Sequence, residues 1–309
     1  MSDNARPAPF QPRTSARPVL AAALWMLGSI GAFTAMAVSG RAVANDLDTF
    51  EMMLYRSLVG IVIVTGAGLL TRRLHTITAQ RLPLHVLRNI SHFTGQNLWF
   101  WALTVIPLAQ LISLEFTMPI WVLILAALFL GERLTRRRTL VVLIGFTGAL
   151  VVARPDFGAP DPGMAAAAGA AIGFAGSVVF TKVLTRHETV LSILFWLVVL
   201  QSLFGLITAG FDGDISLPTI ANIPWLVVLG AAGLTAHLCL TNALMLAPAN
   251  VVVPFDFLRL PVLTMVGFLF YGEMIDAPVV IGAGLILLAN ALNLRARAPA
   301  PQAPKPHDA

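Results

Sequence analysis

Charge is what this sequence has least of. Only 11% of its 309 residues are Asp, Glu, Lys or Arg, where a soluble domain carries about 25%. A surface so poor in charge must face something other than water, and 57% of the residues are hydrophobic. Cysteine is almost missing as well. The one thiol, Cys239, lies in an apolar run. It excludes a disulfide framework and a Cys-based metal site, and reads as a buried thiol packed as a small hydrophobe. No Gly-x-x-x-x-Gly-Lys-Ser/Thr loop occurs, so an ATP-driven machine is not indicated. The membrane-depth histidines His92 and His237 lack the spacing of a zinc site. No metal, nucleotide or other cofactor is implied.

What is present in abundance is long apolar segments. They recur every 20–30 residues or so, each able to cross a ~30 Å hydrocarbon core at about 1.5 Å per residue. The predicted spans are 19–39, 50–70, 84–105, 108–130, 138–154, 163–184, 190–211, 223–246, 249–271 and 277–294. The expected fold is therefore all-α and integral to the membrane, with ten transmembrane helices. Residues 1–18 and 295–309 are polar and rich in Pro and Arg or Ala, and read as disordered tails. Arg6, Arg13 and Arg17 followed by Ala42-Val43-Ala44 could describe a cleaved signal peptide. The first segment is too long for that, and nine more spans follow.

The formal net charge of +5 invites a nucleic-acid reading, which the placement of charge argues against. Fifteen of the twenty Lys and Arg fall in the tails and alternate loops, among them Arg72, Arg73, Arg81, Arg133, Arg136, Arg137, Arg138, Lys182 and Arg186. The opposite loops hold only Arg41 and Arg154, beside Asp46, Asp48, Asp156, Asp161, Asp212, Asp214, Glu273 and Asp276. This bias places both termini in the cytoplasm. The partners expected are a lipid bilayer and a small-molecule substrate, not nucleic acid; a homodimer is compatible.

An internal repeat sets the architecture. At an offset of 141, Ala102-Leu103 falls on Ala243-Leu244, Pro107 on Pro248, Glu115 on Asp256 and Gly131-Glu132 on Gly272-Glu273. At an offset of 145, Arg56-Ser57-Leu58 and Gly60 meet Gln201-Ser202-Leu203 and Gly205, while Gly28 and Gly31 meet Gly173 and Gly176. Five spans is an odd number, so the second copy enters from the opposite side. Residues 19–154 and 163–294 are then inverted repeats around a central cavity, the symmetry that underlies alternating access.

These residues resemble the EamA family of the drug/metabolite transporter superfamily. The pattern is an Ala-Leu-x-x-x-Pro-Ala turn, a proline in the next helix and a closing Gly-Glu. The first copy has Ala102-Leu103, Pro107, Leu108-Ala109, Pro119 and Gly131-Glu132, with Leu108 intruding before the alanine. The second has Ala243-Leu244, Pro248-Ala249-Asn250, Pro261 and Gly272-Glu273. The resemblance implies ten helices around a cavity open alternately to each side of a bacterial inner membrane. It also implies carriage of metabolites such as amino acids, vitamins or S-adenosylmethionine.

Ionisable groups at membrane depth cost about 2.5–3.5 kcal/mol each and need a partner or a watery cavity. Glu115 and Asp256 are equivalent acids on spans 4 and 9, expected to face one cavity as a substrate-ammonium contact or proton-coupling site. Arg259, three residues after Asp256, is either its neutralising partner or a handle for a substrate carboxylate. Arg88, His92 and Gln96 follow i, i+4, i+8 along span 3, and His237 aligns with Gln96 at the offset of 141. They form a polar cavity wall or ordinary interhelical hydrogen bonds. Trp99, Phe100 and Trp101 belong to an interfacial belt or, as a wall including Trp101, stack on a substrate. Glu51 and Arg56 read as structural, bonded to each other or to a neighbour. Pro119 and Pro261 should kink spans 4 and 9. Gly169 with Gly173, and Gly28 with Gly31, should allow close helix approach, and the Gly-Glu pairs should cap helices.

The function expected is a secondary transporter of a small zwitterionic or cationic metabolite, an amino acid, a derivative or an S-adenosylmethionine-like molecule. Riboflavin is the alternative cargo. An enzyme would need a nucleophile–base or metal constellation at the midplane, and none has recognisable spacing. A non-transporting adaptor would leave the paired acids unexplained.

Overall fold

Helices start where the sequence supplies something to hold the first free N–H groups. Asp48 and Glu51 form a reciprocal capping box at the head of one helix, the Asp48 carboxylate accepting from Glu51 N and Glu51 accepting from Asp48 N. Asp161 accepts from Gly163 N ahead of a Pro162 start, and Thr189 accepts from Ser192 N. The computed structural model describes residues 16–130, 136–156, 159, 161–185, 187–211, 213–246 and 255–295. The helices are α1 Ala16–Val43, α2 Thr49–Leu70, α3 Leu82–Val105, α4 Leu108–Glu115, α5 Met118–Leu130 and α6 Arg136–Ala153. They continue with α7 Pro162–Leu184, α8 Val190–Ala209, α9 Asn222–Leu246, α10 Arg259–Tyr271 and α11 Ala277–Arg295. No strand occurs among the described residues. The tails predicted for 1–18 and 295–309 lie almost wholly outside them.

Five helices (α1, α2, α7, α8 and α9) contain stretches long and apolar enough to cross a membrane. Shorter apolar stretches occupy Leu108–Val122, Thr139–Ala153, Arg259–Tyr271 and Ala277–Ala289. The chain is a multi-pass, all-helical membrane protein. Helix α3 has the length, 24 residues, but carries Arg88, Asn89, His92, Gln96 and Asn97, all buried. Its polar face is turned into the bundle.

The span predicted at 108–130 is not one helix. Helix α4 stops at Glu115, and α5 begins at Met118. Two i→i+3 bonds, Thr117 N to Leu114 O and Ile120 N to Thr117 O, carry the chain across. Pro119 then lies in the first turn of α5, where its missing N–H costs nothing. The second repeat does the same. Leu258 N bonds to Phe255 O, Leu260 N bonds to Phe257 O, and α10 starts at Arg259 with Pro261 in its first turn. The expected proline kinks are breaks, and they free backbone beside the acidic residues.

Helix pairing follows the repeat. Helix α1 packs along α9, and α3 along α7; α2 meets α8, α4 meets α10, and α6 meets α11. Exchanging the two family repeats maps α1–α9 onto α7–α3 and each of the other three pairs just named onto itself. In α7, a Cβ added at Gly173 would lie 2.8 Å from Gly95 Cα, so the α3 and α7 backbones touch there. Gly169 faces Leu98, a Cβ added at Gly28 would lie 3.1 Å from Cys239 Sγ, and Gly31 faces open space. Cys239 is buried, as expected.

Candidate functional site

At the centre, the broken ends of α4 and α10 face each other. Phe116 and Phe257, counterparts at the offset of 141, meet edge to face with centroids 4.6 Å apart. A residue in contact with its own counterpart marks the axis that relates the repeats. Next to it, Arg259 Nη2 donates to Glu115 Oε1 at 2.5 Å and to Asp256 Oδ2 at 3.4 Å. Trp99 Nε1 donates to the other Glu115 oxygen at 2.8 Å. The guanidinium lies over the Phe33 ring at 4.6 Å and near the Phe116 ring at 5.5 Å, adding cation–π attraction. Only 4% of the Arg259 side chain is exposed. The two acids are thus bridged by an arginine instead of facing each other bare, and the stronger bond of Arg259 runs to the other repeat. Asp256 Oδ1 has no hydrogen-bond partner among the described residues, which leaves one acceptor for a cationic group.

The opposite side is built by α2, α3, α8 and α9. His92 and His237 meet edge to face at 5.3 Å, His92 packs on Phe174 at 5.7 Å, and His237 on Phe33 at 6.0 Å. Phe33 therefore links this layer to Arg259. Arg88 donates to Thr181 Oγ1 and Asn89 Oδ1. Gln96 is buried with Oε1 unpartnered, and both His92 nitrogens are also unpartnered among the described residues. Hydrogen bonding between helices thus accounts for part of the α3 stripe only. A narrow pocket lies beside this layer, lined by Arg56, Gln201, Gly233 and His237 among others.

The three aromatics of span 3 divide. Trp99, 2% exposed, points inward to Glu115, whereas Trp101, 41% exposed, points out of the bundle. Glu51 and Arg56 do not pair. Glu51 is used by its cap and by Ser216 N, and among the described residues Arg56 bonds only to Met53 Sδ at 3.5 Å. Sequence reading passed over Arg56 as a site residue, although its alignment with Gln201 was visible. The second Gly-Glu pair is structural: Gly272 adopts φ +65°, a left-handed cap that suits glycine. Glu273 then accepts from Arg41 at 2.6 Å and from Leu108 N at 2.8 Å, tying the ends of α1 and α10 to the start of α4. Gly131-Glu132 and Pro248-Ala249-Asn250 lie outside the described residues.

Comparison with known proteins agrees with this architecture. The EamA-like transporter family matches residues 20–154 and 161–295, one copy on each half. An S-adenosylmethionine uptake transporter of Rickettsia bellii is 25% identical over 86% of this chain and 90% of its own. A riboflavin transporter of Brucella anthropi is 32% identical over 71% and 79%. A pseudopaline exporter of Pseudomonas aeruginosa is 26% identical over 83% and 90%. A solved crystal structure superposes with a TM-score of 0.65 at 19% identity, covering 90% of this chain and 99% of that one, a likeness of fold. With both halves matched and relatives that are transporters and not enzymes, the chain belongs to the EamA-like transporter family.

Proposed function

We propose that the protein is a gradient-driven carrier that moves a small zwitterionic metabolite across a bacterial inner membrane by alternating access. In this reading ten spans form two inverted five-span repeats, with both termini cytoplasmic and the Arg41–Glu273 tie at the external end. The observation that carries it is the Glu115–Arg259–Asp256 bridge. It joins the repeats at the two helix breaks, where a relative movement of the halves must remake it. A carrier has to couple cargo or proton binding to that movement. A carboxylate held by one arginine and one indole is suited to exchange those bonds for a proton or a substrate cation. The free Asp256 oxygen gives an ammonium or sulfonium its acceptor.

A riboflavin-like cargo is the second reading, favoured by the rings of Phe33, Phe116, Phe257 and Trp99 around the same arginine. The test is uptake into proteoliposomes of labelled amino acids, S-adenosylmethionine and riboflavin, with wild type and Glu115→Gln side by side. Saturable uptake of a zwitterion, lost in the variant, is the expected result. Riboflavin uptake alone would favour the second reading. Absence of all uptake by folded protein would remove the carrier reading and favour an adaptor.

A further inference from the structure

Resting on the carrier reading, we propose that Arg56 and Gln201, with Arg88 as a second positive charge, form a subsite that takes a carboxylate or phosphate group of the cargo. The starting point is how the fold treats its buried arginines. Arg259 is given two carboxylates and two aromatic faces. Arg56 and Arg88, 7% and 4% exposed, form no ion pair with any described carboxylate. Arg56 has one thioether sulfur as acceptor, and Arg88 one hydroxyl and one amide oxygen. A guanidinium offers five N–H donors, and burial of a charge without a counter-charge is costly. The two also lie within coulombic reach of each other, and that like-charge repulsion raises the cost.

The pocket also holds a neutral donor without a partner: Gln201 Nε2 is buried with no hydrogen bond among the described residues. Gln201 is the repeat counterpart of Arg56 at the offset of 145, and both line one pocket with Gly233 and His237. A Cβ at Gly233 would lie 2.8 Å from Arg56 Nη2, so glycine at this position on α9 leaves the guanidinium its room. An oxyanion entering there would complete the guanidinium and amide donors together and supply the missing negative charge. The bundle then holds two unlike sites, anion-seeking at Arg56 and cation-accepting at the Asp256 oxygen that has no partner among the described residues.

The test uses purified full-length protein in non-ionic detergent, read by melting temperature and by uptake. The probes are inorganic phosphate, succinate, methionine and S-adenosylmethionine, with phosphatidylglycerol in mixed micelles as the lipid arm. At least one soluble oxyanion should raise the melting temperature of wild type. That shift should vanish in Arg56→Gln, with binding roughly 10- to 100-fold weaker, the loss of a charge-assisted hydrogen bond or two, and return in part in Arg56→Lys. Without probe, Arg56→Gln should melt no lower than wild type, because it removes an uncompensated charge; a structural arginine would melt lower. Equal shifts in wild type and Arg56→Gln, no shift with any soluble probe, or a shift with the lipid alone would overturn the proposal. Uptake that persists in Arg56→Gln sinks the subsite and leaves the carrier standing. An anion shift without any uptake keeps the subsite and sinks the carrier.

Discussion

Two buried regions of the bundle handle charge in opposite ways. Where α4 meets α10, every charged side chain has an opposite charge within 3.4 Å: Arg259 lies between Glu115 and Asp256, and Trp99 holds the far oxygen of Glu115. On the other side, Arg56 and Arg88 have only neutral acceptors among the described residues. Both sides lie on the same pseudo-symmetry, since Phe116 faces Phe257 on one and Arg56 shares a pocket with Gln201 on the other. The difference teaches what a membrane-buried charge is for. One that is fully paired can hold the structure together, whereas one left short of partners is kept at a cost, which a bound ligand of opposite charge would offset.

The largest effect should come from breaking the paired side. Arg259→Gln strands two carboxylates, and loss of one member of a buried pair costs about 3–5 kcal/mol; denaturant melts in detergent should show it, with uptake abolished. On the other side, Gly233→Ala presses a methyl into the Arg56 guanidinium. Overpacking of this kind costs about 1–3 kcal/mol, and here it should appear as weakened anion binding as well as a lower melting temperature. Trp99→Phe keeps the ring and removes one hydrogen bond to a carboxylate, about 1.5–3 kcal/mol at most. Trp101→Phe, on the outward face, should change neither stability nor uptake.

A further, pH-dependent effect concerns the loop side of the bundle. Burial pushes the Glu188 carboxyl up, but hydrogen bonds from Thr78 and Ser192 and the nearby His85 outweigh it and hold it below the usual carboxylate range. A depressed carboxylate contributes stability above its unfolded pKa, near 4.3, and loses it as pH falls through the lower folded value. Glu188→Gln should melt lower than wild type at neutral pH, and that difference should hold steady down to about pH 5 and shrink in more acid solution.

Much of the fold was legible because a bilayer forces it: apolar length, charge bias and a repeat offset are all written along the chain. The helix ends follow caps such as Asp48, Asp161 and Thr189. The break at Phe116–Thr117 was legible only as a proline kink, because where a helix gives way depends on what packs against it. Trp99 and Trp101 are two residues apart, about 200° around a helix, and sequence alone does not say which faces inward. Arg259 had a local acid at i−3, and its closer bond to Glu115 spans 144 residues. Arg56 was read against Glu51, a plausible neighbour, until Glu51 proved committed to a cap. In each case the missing knowledge was which side chain crosses between repeats. A repeat whose copies pack on each other offers a rule for that: where they meet, look first at a residue's own counterpart.

The most direct measurement is a paired one on a single preparation: melting temperature without ligand and zwitterion uptake, for wild type, Arg259→Gln and Arg56→Gln. Arg259→Gln should lose both stability and uptake, while Arg56→Gln keeps or gains stability and loses uptake. If Arg56→Gln melts well below wild type, or transports as wild type does, the two buried regions do not differ in the way described.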